Sequence, residues 1–325
     1  MHIPDGYLSP KTCLFFFAVM TPVWYIASKR VETVVGVARL PMLALGAAFT
    51  FVIMMFNIPV PGGSTGHITG GVIVAIVLGP WAGVVAMTLT VALQAVLFGD
   101  GGITAIGANG FNMAFVMSLV GYFSYRVVAA GEPGGTRAFA AAFIAGYLAA
   151  NVAAFAAAIE LGIQPLIASG IDGRPLYAPY PLAITVPAMI VPHLLFFGPL
   201  EGLGTALVVS YIRKTGLGSV KTAEQRSMRP IWAVMIVLAL LTPLGLLAGG
   251  TPWGEWVKEE FTGLIGYVPA GMDAVGGRWA GVMPDYGAPA GSSLSPAVSY
   301  IISAAIGSGI VVLAVYIWGR VWRRR

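Results

Sequence analysis

Eight apolar stretches, each long enough to cross the hydrocarbon core of a bilayer, constrain this chain more than any other feature. A crossing takes about 20 predominantly apolar residues, and such windows fall near 11–28, 40–57, 81–98, 105–128, 136–160, 181–213, 229–248 and 296–319. A shorter run at 68–79, ending at Gly79-Pro80, reads as a ninth crossing. Only 10% of the residues are charged, against roughly 25% in soluble domains. The expected class is an all-α polytopic membrane protein. The first run reads as an uncleaved helix and not as a secretory signal, because Lys29 and Arg30 follow its apolar core rather than precede it and no clear A-x-A site closes it. Cys13 is the single cysteine, so it forms no internal disulfide and reads as a small core residue.

The basic residues set an expected orientation. With nine crossings and the N-terminus outside, the inner segments collect 14 of the 18 Lys and Arg residues, from Lys29 and Arg30 through Arg213 and Lys214 to Arg323, Arg324 and Arg325. Lys11, Arg174, Lys258 and Arg278 are left outside with most of the acids, which predicts N-out and C-in. Met1, His2 and His67 then share the outer face. A charged, glycine-containing stretch, 214–228, reads as a cytoplasmic linker. It divides a seven-helix part, 1–213, from a second part, 229–325, with two helices around an outer segment, 249–295. The alanine-rich helix from Ala138 to Ile159 offers small residues at nearly every turn, which suits close helix packing within the chain.

Three stretches carry chemistry. The chain opens Met1-His2-Ile3-Pro4-Asp5-Gly6-Tyr7, and the amine, the His2 amide nitrogen and the His2 Nδ1 can close five- and six-membered chelate rings around one ion. That planar set suits Ni(II) or Cu(II) and asks for a fourth nitrogen. His2 is too large a second residue for ordinary removal of the initiator, so Met1 is expected to persist. The competing reading makes His2 a solvated tail residue. His67 ends the Pro/Gly-rich turn Ile58-Pro59-Val60-Pro61-Gly62-Gly63-Ser64-Thr65-Gly66-His67, which cannot continue a helix. The run from Gln94 to Asn112 places Gln94, Asp100, Thr104, Asn109 and Asn112 among closely spaced glycines at a helix–loop–helix junction. Polar groups at such depth must be satisfied by protein. They either form a structural turn or, with Gln94, Asp100, Asn109 and Asn112, orient an imidazole and balance the charge of a metal. His193 and Glu201, eight residues apart in an apolar stretch, are intramembrane polar residues whose role is a structural hydrogen bond or a functional one.

The chain lacks G-x-x-x-x-G-K-[ST], H-E-x-x-H and G-x-S-x-G strings, so it is expected to bind no nucleotide and to be no enzyme.

Met1-His2-Ile3-Pro4-Asp5-Gly6, Pro61-Gly62-Gly63-Ser64-Thr65-Gly66-His67 and the Gln94 to Asn112 run together resemble the substrate-binding M component of nickel and cobalt energy-coupling factor transporters, the NikM/CbiM family. The resemblance covers about residues 1–213. Residues 229–325, with Trp253-Gly254-Glu255-Trp256 and Pro284-Asp285-Tyr286-Gly287, resemble the N component fused behind it. The resemblance implies a square-planar metal site made by the Met1 amine, the His2 amide and imidazole, and the His67 imidazole. It leaves His193 as structural. It also implies a transmembrane T component and a cytoplasmic ATPase pair as partners in a prokaryotic plasma membrane, with no nucleic acid involved. A planar nitrogen field favours Ni(II) over Co(II) as the transported ion. The rivals are a Co(II) importer subunit serving cobalamin synthesis, a metal sensor or scaffold that does not transport, and a carrier for an organic vitamin.

Overall fold

The computed structural model describes residues 1–36, 38–60, 64–131, 135–216, 229–249, 253–288 and 292–322. The expectations that rest on Pro61-Gly62-Gly63, on linker residues 217–228 and on Arg323 to Arg325 lie outside them. Helix α1, Pro10–Val34, starts where Ser9 turns its hydroxyl onto the Thr12 amide at 3.4 Å and Pro10 takes a position that needs no N–H. Helix α2 is Leu40–Met54. After it the chain forms a hairpin of two short strands, β1 (Ile58–Val60) and β2 (Ser64–Gly66), with Ile58 opposite Gly66. Helix α3, Gly71–Leu78, follows.

Next come α4 (Pro80–Phe98), α5 (Ile106–Ala129), α6 (Gly135–Ile167) and α7 (Leu182–Thr215). Helix α8, Arg229–Leu241, continues into a tighter turn, Thr242–Leu247. The chain ends on α11, Pro296–Trp322, after two short helices, α9 (Lys258–Ile265) and α10 (Ala270–Val275). Among the described residues six helices are long and apolar enough to cross a membrane: α1, α4, α5, α6, α7 and α11.

The expected windows at 11–28, 81–98, 105–128, 136–160, 181–213 and 296–319 fall in these six helices, whereas 40–57 and 229–248 give shorter apolar helices, Leu40–Met54 and Trp232–Leu247, and the run at 68–79 gives a helix too short to span the core by itself. Eight residues at 1.5 Å each make α3 about 12 Å long, well under the roughly 30 Å of a hydrocarbon core. The proline- and glycine-rich turn before it consumes the remaining length as hairpin and loop. Such irregular backbone is tolerated at depth only when protein satisfies it.

Helix α6 is the centre of the first part. Ala141, Ala142, Ala145, Ala149 and Ala153 on it are fully buried, and α5 and α7 lie along it. The approach to α7 is close enough that a Cβ on Gly146 would sit 2.7 Å from the Glu201 carbonyl, and one on Gly202 would sit 2.7 Å from the Phe143 carbonyl. This is small-residue packing of the kind that lets helices associate in lipid. Helix α11 runs against α2.

The stretch expected to be a polar loop, between α8 and α11, is instead folded onto the first part. Helix α4 ends in a wide π-helical turn, Gln94–Phe98, whose outer carbonyls lack partners within the helix. The Val96 carbonyl accepts from Trp279 Nε1 at 2.9 Å. The Leu97 carbonyl accepts from the Val282 and Met283 amides at 2.7 and 2.9 Å. Tyr7 donates its hydroxyl to the Trp256 carbonyl at 2.8 Å.

Candidate metal site

The first seven residues are not a solvated tail. Asn109 grips the backbone of Ile3 from both sides: its Oδ1 accepts the Ile3 amide at 2.8 Å and its Nδ2 donates to the Ile3 carbonyl at 3.0 Å. The Gly102 amide donates to the same carbonyl at 2.9 Å. Asp5 accepts from the Ile103 amide at 3.0 Å, from the Thr104 amide at 2.8 Å and from the Thr104 hydroxyl. Gly102 must be glycine for this contact, since a Cβ would overlap the backbone of Pro4 and Asp5. The next turn is held by the Ala178 amide on the Tyr7 carbonyl at 2.9 Å and by Gln164 Oε1 on the Ser9 amide at 3.0 Å. His2 is thereby left 5% exposed and Ile3 1%.

Both nitrogens of the His2 ring face acceptors. Nδ1 is 3.0 Å from Asp100 Oδ1 and Nε2 is 3.3 Å from Gln94 Oε1. Tyr286, from the second part of the chain, closes the ring of contacts: its hydroxyl donates to Asp100 Oδ2 and accepts from Gln94 Nε2 at 2.9 Å. It stacks on Phe98, with ring centroids 4.8 Å apart. Tyr286 and Asp285 both hold left-handed backbone, with φ of 61° and 49°. That conformation is costly for side chains with a Cβ and is retained here where the segment meets the site.

The His67 ring lies 5.2 Å from the His2 ring, tilted by 40°. Its Nδ1 is buried without a hydrogen-bond partner, a costly state for a polar atom unless something else satisfies it. With Met1, Thr65, Gly66 and His193 it lines a cavity of about 30 Å³, room for a water or a single ion.

The charges around these groups favour uncharged rings. Burial and then the positive Met1 amine lower the His2 imidazole from its ordinary 6.5 to about 3. The same causes hold His67 well below 6.5. A neutral His2 ring carries one proton and can donate to only one of its two acceptors, so the other nitrogen offers a lone pair. Glu255 of the second part is pushed up to about 8 by burial and by the nearby Asp100 and Asp285, against the lowering effect of the Met1 amine.

The sequence-derived residues therefore divide. Met1, His2, His67, Gln94 and Asp100 converge on one spot. Asn109 lies beside it but holds the tail's backbone instead of an imidazole. Asn112 faces elsewhere, donating to Glu160 Oε2 at 2.9 Å. No cluster of three His, Cys, Asp or Glu side chains placed to hold a metal occurs among the described residues. Sequence reasoning did not include Tyr286 or Glu255 in the site, although both lie in the strings that resemble an N component. It also left Glu201 between two readings.

Comparison with known proteins places the chain in a family. Residues 2–217 match the CbiM family, described as the cobalt uptake substrate-specific transmembrane region, and residues 229–324 match the PDGLE domain. The fused nickel transport protein NikMN of Rhodobacter capsulatus is 41% identical, over 97% of this chain and 96% of its own length. The probable fused nickel transport protein LarMN of Lactiplantibacillus plantarum is 43% identical over the same shares. A crystal structure of a truncated transition metal transporter superimposes with a TM-score of 0.62 at 47% identity, covering 66% of this chain and 99% of that one. This multi-pass membrane chain belongs to the CbiM family of transition-metal transport proteins, in the form that carries a fused C-terminal PDGLE region.

Proposed function

We propose that the chain is the substrate-capture subunit of an ATP-driven importer of divalent transition metal, with Ni(II) as its cargo. The ion is held in a square plane by the Met1 amine, the deprotonated His2 amide, His2 Nδ1 and the His67 imidazole. The observation that carries this reading is the burial of the tail against His67, which leaves two uncharged rings 5.2 Å apart and one ring nitrogen unpartnered. Coordination through His2 Nδ1 requires Asp100 to give up its contact with that atom. The ring proton then resides on Nε2 and donates to Gln94 Oε1, which fixes the ring's orientation, while the Asp100 carboxylate beside the ion offsets its charge. Gln94 and Asp100 thus act as orienting and charge-balancing partners, and Asn109 supports them by seating the tail.

In this reading the N-terminus is outside and the C-terminus inside a prokaryotic plasma membrane. Residues 1–213 form a seven-helix metal-binding part, 214–228 a cytoplasmic linker and 229–325 an N-type part. A transmembrane T component and a cytoplasmic ATPase pair supply the energy, since the chain has no phosphate-binding loop of its own. The relatives named for nickel align with 96 to 97% of this chain, whereas those named as cobalt transport proteins align with 39 to 44% of it. That contrast favours nickel. The family description favours cobalt as the second reading.

Uptake of radioactive nickel by cells that co-express the partner components tests the proposal. A Gly-Ser extension ahead of Met1 moves the amine out of the chelate and is expected to abolish uptake, with the extended protein still present in the membrane. Undiminished uptake would refute the terminal chelate. Cobalt that abolishes nickel uptake at equal concentration would reassign the cargo.

A further inference from the structure

The backbone that follows His67 is pinned by one residue from a distant helix. The amides of Thr69 and Gly70 open α3 and have no partner within that helix. Glu201, in α7, satisfies both: Oε2 accepts the Thr69 amide at 2.6 Å, and Oε1 accepts the Gly70 amide at 3.1 Å and the Thr69 hydroxyl at 3.0 Å. The residue is 2% exposed and has no cationic partner among the described ion pairs. A carboxylate buried without a counter-ion persists only where donors converge on it.

The other side of the same loop touches the same helix. Residues 193, 197 and 201 recur at four-residue spacing and so share one face. Phe197 packs against Gly66 so closely that a Cβ on Gly66 would overlap its ring. His193 stacks beside Phe197, with centroids 5.2 Å apart, and donates Nδ1–H to the Met189 carbonyl at 2.7 Å. A π-helical turn, His193–Phe197, widens the helix at this point. Such turns often mark functional positions. From Glu201 the helix runs on for about 18 Å to Arg213, which donates to the Tyr125 hydroxyl at 2.8 Å.

We propose that Glu201 is the positioning residue for His67: by gripping Thr69 and Gly70 it makes the His67 half of the site move as one body with α7. The hydrogen bonds of the His2 half run to other elements, the 100–109 loop, Gln94 and Tyr286, and its contacts with α7 are apolar. Displacement of α7 relative to those elements separates His67 from the tail and removes one ligand of four. This inference rests on the proposed four-nitrogen site.

The test is electron paramagnetic resonance of the purified full-length protein loaded with Cu(II), which reads the number of coordinated nitrogens from superhyperfine splitting. The unmodified protein is expected to show four nitrogens. Glu201→Ala is expected to show three nitrogens and an oxygen, with the His2 chelate intact, and to bind Ni(II) about 10- to 100-fold more weakly. Glu201→Gln, which keeps one carbonyl acceptor, should recover part of the loss. Thr69→Ala removes one donor of the three and serves where Glu201→Ala does not fold. It should weaken Ni(II) binding less than either Glu201 variant while retaining the native melting temperature. Four nitrogens in the unmodified protein and an unchanged spectrum in Glu201→Ala, or in Thr69→Ala an unchanged Ni(II) affinity, would overturn the role of Glu201. Fewer than four nitrogens in the unmodified protein would overturn the site itself and, with it, this inference.

Discussion

His2 is enclosed by groups drawn from separate parts of the chain: Asp100 and Gln94 on its ring nitrogens, Asn109 and Gly102 on the backbone beside it, and Tyr286 bridging the first two from beyond α8. His67 follows a short hairpin, the backbone after it is anchored by Glu201 on α7, and its buried Nδ1 has no hydrogen-bond partner. One ligand is thus held by a dense polar cage and the other by a lever. The difference assigns them different duties. In the proposed mechanism the caged side defines the chelate, and the lever side opens and closes it. The second part of the chain contributes to the first of these, since Tyr286 bonds Asp100 and Gln94 in the His2 cage.

Lowering the pH sharpens the comparison first, because it acts on the chelate without charging either ring. The imidazoles of His2 and His67 have pKa values displaced downward, so both stay neutral well below 6.5 and protons do not compete for them between pH 8 and 6. Coordination by the Met1 amine and by the backbone amide nevertheless releases protons. Apparent Ni(II) affinity should therefore fall at least about tenfold per pH unit, and calorimetry in buffers of different ionisation enthalpy should detect the released protons. An affinity flat from pH 8 to 6 would mean that no amide is deprotonated.

Asp100→Asn cuts the cage at its charged member. Loss of a carboxylate oriented on a ligand histidine commonly costs 10- to 100-fold in metal affinity, and that loss is expected here in competition with a chelator. An unchanged affinity would show that Asp100 only latches the metal-free ring.

Tyr286→Phe removes one hydroxyl and, with it, the hydrogen bonds to Asp100 and Gln94 that the second part contributes to the cage. A neutral hydrogen bond contributes about 1 kcal/mol net, or roughly fivefold, so a three- to tenfold weaker affinity is expected with the fold intact. The same variant leaves the lever untouched, so the Cu(II) spectrum should retain four nitrogens. A spectrum with three would place Tyr286 on the His67 side and erase the distinction.

Much of this was legible before any fold was known. Hydrophobic length alone located α1, α2, α4 to α8 and α11, because burial of apolar surface in a membrane is a property of windows. The convergence of Met1, His2 and His67 followed from chelate geometry, the side of the membrane implied by basic residues, and resemblance to a known family. What stayed hidden depends on tertiary partners. Asn109 and Asn112 are three residues apart and chemically alike, yet one holds the Ile3 backbone and the other bonds Glu160. The run at 68–79 is apolar enough for a helix but shares its length with a hairpin. Glu201 lies 132 residues from Thr69, so its only sequence signal was an acid in an apolar stretch. Tyr286 stands in a Pro-Asp-Tyr-Gly string that reads as a turn, and nothing local points it at Asp100.

The most direct test of the account is X-ray absorption at the nickel edge on the purified protein loaded with one equivalent of Ni(II). The account predicts the pre-edge feature of a square-planar site and a first shell of four nitrogens, both lost when Gly-Ser precedes Met1. A six-coordinate, oxygen-rich shell in the unmodified protein, or a square-planar signal that survives the extension, would contradict it.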